Sequence, residues 1–119
     1  MKTEKISENK DQRGFVLNPF EHLENTGEVT NFHAFSIEKG HSRGNHFHPA
    51  RNEQVLVVSG EITVETPAGT RVLNAYSPSI LTIPGGMQHT FTNLGDKAAV
   101  VLCWTTTRDE NYTGEDTVR

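Results

Sequence analysis

His46 and His48 stand one residue apart in the stretch 40–60, GHSRGNHFHPARNEQVLVVSG, and four residues separate the second of them from Glu53. In an extended chain, residues i and i+2 project to the same face, so the two imidazoles are expected to point together. The run Gln54-Val55-Leu56-Val57-Val58 that follows reads as a buried strand closed by a turn at Gly60. A hairpin between the two segments would return the Glu53 carboxylate beside the histidines. Two neutral imidazoles and a carboxylate are the donors that a first-row divalent metal takes. A fourth donor is available from His89, which follows the turn Pro84-Gly85-Gly86 and opens an alternating strand with Phe91 and Asn93 on its own face.

The elements that must position these side chains are short strands. The chain has 119 residues, ten glycines, five prolines and abundant Thr and Val, which disfavours helices and suits one all-β domain. Residues 1–12 are charged and lack aromatic residues, and read as a flexible N-terminal arm; residues 13–107 carry the barrel; residues 108–119 read as a polar C-terminal tail. Within the barrel, residues 31–39 alternate, with His33, Phe35 and Ile37 on one face and Phe32, Ala34 and Ser36 on the other. Residues 53–59 and 61–66 are expected to pair as a hairpin about Gly60, and Leu94-Gly95-Asp96-Lys97 to form a hairpin turn into the last apolar strand. In a closed barrel alternate side chains face inward, which is where His46, His48 and His89 are expected to point.

The order and spacing of these residues resemble the cupin superfamily over residues 32–104. Gly40-x5-His46-x-His48-x4-Glu53-x6-Gly60 fits the first cupin motif, and Pro84-x-Gly86-x2-His89-x3-Asn93 fits the second, except that Pro78 stands where a glycine is expected. The resemblance implies a single-domain antiparallel β-barrel of the jelly-roll-like, double-sheet type. It also implies a divalent ion held by His46, His48, Glu53 and His89, with zinc, iron, manganese and nickel all compatible with the donor set. Three imidazoles and one carboxylate leave coordination positions open for substrate or water.

Arg43-Gly44-Asn45-His46-Phe47-His48, with Asp11-Gln12-Arg13-Gly14-Phe15, Asn18-Pro19-Phe20 and Val101-Leu102-Cys103-Trp104, is similar to the small cupins of polysaccharide and nucleotide-sugar biosynthesis. That likeness implies isomerase or epimerase chemistry at a carbon next to a carbonyl, on a substrate such as a sugar nucleotide. The alternatives within the fold are a metal-dependent dioxygenase of a small substrate and a non-catalytic binding protein. In the ketoisomerase relatives the paired histidines act without metal, often with a glutamine where the glutamate stands; retention of Glu53 before Gln54 favours the metal-bearing branch. The catalytic candidates are His33, which shares its strand face with Phe35 and is otherwise read as a core-edge histidine bonded to a backbone carbonyl, and His46 and His48 themselves. His22 and His41 have no partners nearby in the pattern and are read as hydrogen-bonded structural or surface residues.

The net charge of −4 argues against a non-specific nucleic-acid binder, which would carry a basic patch. No segment approaches the length of apolar residues that a membrane helix requires, and no secretory leader is visible. One cysteine, Cys103, is expected to be an inert core thiol in a cytoplasmic protein. Exposed strand edges favour a homodimer, with the N-terminal segment available to cross over.

Overall fold

The computed structural model describes residues 1–22, 29–46 and 51–107. Among the described residues, eleven strands and one helical turn follow one another as β1 (Lys2–Lys5), β2 (Glu8–Asp11), β3 (Gly14–Leu17), α1 (Pro19–His22), β4 (Thr30–Ile37), β5 (Ser42–His46), β6 (Arg51–Ser59), β7 (Glu61–Thr66), β8 (Gly69–Asn74), β9 (Ser79–Ile83), β10 (His89–Thr92) and β11 (Ala99–Thr107). Two antiparallel sheets face each other, one of order β1-β9-β6-β11-β4 and one of order β5-β10-β7-β8, with a separate β2-β3 ribbon. The all-β, jelly-roll-like double sheet expected from the sequence is what forms. No helix among the described residues is long and apolar enough to cross a membrane.

Period-two patterning sorts the side chains. Val55, Val57, Leu81, Ile83, Val101 and Cys103 from the larger sheet meet Ile62, Val64, Leu73 and Phe91 from the smaller one, and this is the main core. The opposite face of the larger sheet is also apolar, with Leu56, Ile80 and Trp104 covered by Ile6. Strand β6 is therefore buried on both faces from Glu53 to Val57, which explains why its sequence is a continuous apolar run and not an alternation. Gln54 is buried with it and is satisfied there: its amide donates to Thr106 Oγ1 at 3.1 Å, and Thr82 donates to its Oε1 at 2.6 Å.

Three expectations are corrected by the topology. The segment 1–12 is not a loose arm: β1 pairs with β9 from Lys2↔Thr82 to Lys5↔Ser79, and β2 pairs with β3. Polar side chains do not prevent this, because the ladder is made by backbone groups, and Ile6 anchors the segment on the apolar face. Second, β6 and β7 are not a hairpin, since they belong to different sheets. Gly60, at φ +80°, turns the chain across the sandwich where an added Cβ would lie 3.0 Å from the Ala98 carbonyl oxygen. Third, β10 and β11 also lie in different sheets, so residues 94–97 form a corner between layers. Asn93, fully buried, holds that corner by donating to the Ile37 and Lys97 carbonyls at 2.8 Å each and accepting from Gly95 N–H at 2.9 Å.

Candidate functional site

The site lies between the layers. Glu53 projects inward from β6 of the larger sheet, and His89 inward from β10 of the smaller one. His89 Nε2 is 2.8 Å from Glu53 Oε2, with His89 1% and Glu53 5% exposed. The expected hairpin between the segment of His46 and that of Glu53 is absent, because β5 and β6 lie in opposite sheets. The two segments approach across the interior instead. Strand β5 pairs with β10, and His46 is opposite His89 in the register.

A bulge follows directly: Thr90 pairs with Gly44, leaving Asn45 as the extra residue. Gly44 makes the bulge possible. Its φ is +102°, and a Cβ there would meet the His89 carbonyl oxygen at 3.0 Å.

Both His89 nitrogens face acceptors. Nε2 addresses the Glu53 carboxylate, and Nδ1 lies 3.1 Å from the Met87 carbonyl oxygen. Burial favours the neutral ring, yet the hydrogen bond and charge of Glu53, helped by the Met87 carbonyl, outweigh it and raise His89 above the ordinary histidine value. Cys103, also buried, donates its thiol hydrogen to Glu53; burial, then the Glu53 charge, pushes this thiol far above the usual range. It is an inert thiol, as expected, but one that touches the central carboxylate.

In front of this pair opens a cavity of about 200 Å³ lined by His33, Phe35, Arg43, Gly44, Glu53 and Phe91. Aromatic rings form a continuous wall: His33 stacks on Phe35 at 5.8 Å, Phe35 on Phe91 at 5.9 Å, and Phe91 lies 5.1 Å from His89. Arg43 sits 5.9 Å over the Phe35 ring and donates from Nε to the Ser36 carbonyl at 2.8 Å. It also lines a second, outer groove of about 340 Å³ with Ser36, Glu38, His41 and Ser42. Arg51 is engaged otherwise, donating from Nε to Thr105 Oγ1 at 3.0 Å and from Nη2 to the Thr105 carbonyl at 3.2 Å.

Of the residues singled out in the sequence, the structure brings Glu53, His89 and His33 into or beside one cavity, with the His46 backbone adjoining. The side chain of His46, together with His48 and Phe47, lies outside the described residues, as does the tail 108–119. Among the described residues no group of three or more metal-ligating side chains converges. Gln54 points to the opposite face from Glu53 and takes no part. Trp104 lies buried on the other face of the larger sheet, packed at 5.2 Å against Phe20 and 5.6 Å against Phe32. Sequence reasoning missed the Cys103–Glu53 contact, because no local pattern marks two residues fifty positions apart as neighbours. The aromatic wall was partly visible in the shared face of His33 and Phe35.

A double antiparallel sheet with an inward carboxylate from one layer and an inward histidine from the other is a cupin-like fold. The chain belongs to the polysaccharide biosynthesis C-terminal domain family, which matches residues 9–117. Among solved structures it is similar to the capsular polysaccharide assembling protein CapF from Staphylococcus aureus, with 26% identity and a TM-score of 0.61 over 89% of this chain and 32% of CapF. The chain thus spans about one third of that protein. It is also similar in fold to dTDP-6-deoxy-D-glucose-3,5-epimerase RmlC from Legionella pneumophila (21% identity, TM-score 0.70, 89% of this chain and 66% of that one). A 3,4-ketoisomerase from Helicobacter canadensis shares the fold at 18% identity and a TM-score of 0.69, over 92% of this chain and 86% of its own. No match is found among curated protein sequences.

Proposed function

We propose that this domain binds a nucleotide-linked keto-sugar and isomerises or epimerises it at a carbon next to the carbonyl. The observation that carries this reading is one cavity in which an exposed histidine, an arginine, a buried carboxylate and two stacked phenylalanines meet. Aromatic faces suit the C–H faces of a sugar ring, and about 200 Å³ accommodates a ring but not a whole sugar nucleotide. The remainder would run into the outer groove, with Arg43, common to both spaces, on the phosphate. The likeness to proteins named as a 3,5-epimerase and a 3,4-ketoisomerase supports the same chemistry.

The donor set fits a divalent metal. Glu53 Oε2 and His89 Nε2 are close enough to share one ion, and His46 is in register beside His89. With His48 they would hold zinc, iron, manganese or nickel. When bound, the ion supplies positive charge for the developing oxyanion of the sugar carbonyl. The chain's own part is to seat the ring on Phe35 and Phe91, to fix the phosphate at Arg43, and to exchange a proton with the sugar carbon. We further propose a cytoplasmic homodimer. Supporting it are the free edges of β4 and β1 and the exposure of Phe20 (42%) and Phe32 (52%) around Trp104.

The test is twofold. Metal content of the purified protein is measured by plasma mass spectrometry beside a His46→Ala/His89→Ala variant, and a stoichiometric ion lost in the variant is expected. The protein is then incubated with dTDP-4-keto-6-deoxyglucose in deuterium oxide, and deuterium uptake next to the carbonyl is followed by mass spectrometry. Absence of exchange by the metal-replete protein overturns the function; a protein that cannot be loaded overturns the ligand set.

A further inference from the structure

Two of the residues lining the inner cavity can accept a proton, Glu53 and His33. Glu53 is committed, with His89 Nε2 at 2.8 Å and the Cys103 thiol donating to it. His33 differs in the way its ring is held. Its Nδ1 lies 2.7 Å from the Asn31 carbonyl oxygen. A carbonyl only accepts, so the proton of the neutral ring must sit on Nδ1, and the lone pair is left on Nε2. Stacking on Phe35 at 5.8 Å and 26° fixes the ring plane as well. The residue that supplies the carbonyl, Asn31, has φ +59°, the left-handed region, and no other non-glycine residue among those described has a positive φ. Such backbone persists where the surroundings hold it, and it clusters at functional sites.

We propose that His33 is the general base of the site, its Nε2 removing the proton next to the sugar carbonyl. This rests on the keto-sugar reading above. In the step, the Nε2 lone pair forms an N–H bond as the C–H bond breaks. The C–H electron pair becomes the carbon–carbon double bond of an enediolate, and the carbonyl π pair moves onto oxygen. Protonation of the carbon by water on the opposite face gives the epimer and hydroxide. The imidazolium neutralises that hydroxide and returns to its starting tautomer. His33 sits on β4, in register with Cys103 of β11, so the base approaches from the larger sheet's edge while His89 belongs to the other layer.

The experiment is deuterium exchange into dTDP-4-keto-6-deoxyglucose by the metal-replete protein and by His33→Gln and His33→Ala, with dTDP affinity measured by calorimetry. Exchange is expected to fall about 10²- to 10⁴-fold in both variants. The dTDP affinity and circular dichroism are expected to remain those of the parent, since His33 is exposed. Added imidazole is expected to restore exchange in His33→Ala and not in His33→Gln, where the space is filled. Exchange at the parental rate in both variants overturns the assignment while the keto-sugar reading stands. A loss matched by an equal loss of dTDP affinity overturns it too, since a binding role then suffices. Parent protein that exchanges nothing overturns the reading and the base together.

Discussion

Replacing Glu53 by Gln in the metal-free protein isolates the contact at the centre of the site. The substitution keeps volume and removes charge, so no cavity term enters. What is lost is the close charge contact of Glu53 Oε2 with His89 Nε2, 2.8 Å apart between groups 5% and 1% exposed. A hydrogen bond to a charged group contributes about 1.5–3 kcal/mol net, and a neutral one about 1 kcal/mol. The pH dependence has a definite sign. His89 is raised in the folded protein above its unfolded value of about 6.5. Stability from the pair is therefore fully present below that value and is lost as pH rises through the folded one. The variant is expected to be about 1.5–3 kcal/mol less stable than the parent on the acid side. The difference should shrink at alkaline pH, where the parent keeps a buried carboxylate beside a neutral ring. Urea unfolding of chelator-treated protein, followed by the fluorescence of buried Trp104 at about pH 5.5 to 9, measures this. Stability curves that run parallel across the range would refute the reasoning, as would a variant that gains stability at low pH.

The bulge at the site gives a second expectation. Gly44→Ala places a Cβ 3.0 Å from the His89 carbonyl oxygen at φ +102°, and should cost about 1–3 kcal/mol. It should also lower metal retention, whereas Gly14→Ala, at φ +132° with nothing within 4 Å, should cost less and leave metal content alone. Asn93→Ala deletes three hydrogen bonds at the corner between layers and strands two buried-side carbonyls, for a loss of about 2–4 kcal/mol in urea unfolding. Size-exclusion chromatography with light scattering is expected to give a dimer that Phe20→Ser/Phe32→Ser weakens; a monomer at micromolar concentration in the parent would sink that proposal.

Alternation alone was enough to place His33, Phe35 and Ile37 on one face of β4, and to put His89, Phe91 and Asn93 on one face of a strand. The run 54–58 announced a buried strand, and the spacing of Glu53 and His89 within the two motifs marked them as partners. These are local properties, because the side-chain period of a strand is two wherever the strand lies. Sheet membership is not local. A glycine turn serves equally for a hairpin and for a corner between layers, so nothing at Gly60 reveals that β6 and β7 part company, or that Glu53 reaches His89 across the sandwich. The pairing of residues 2–5 with β9 is not legible in the sequence for a related reason: backbone amides make the ladder, and their bonding is blind to the charged side chains of the segment. Only the tertiary structure brings the Cys103 thiol to Glu53 and turns the Asn31 carbonyl onto His33, since each needs strands distant in sequence, or an unusual backbone angle, to be set by the packing around it.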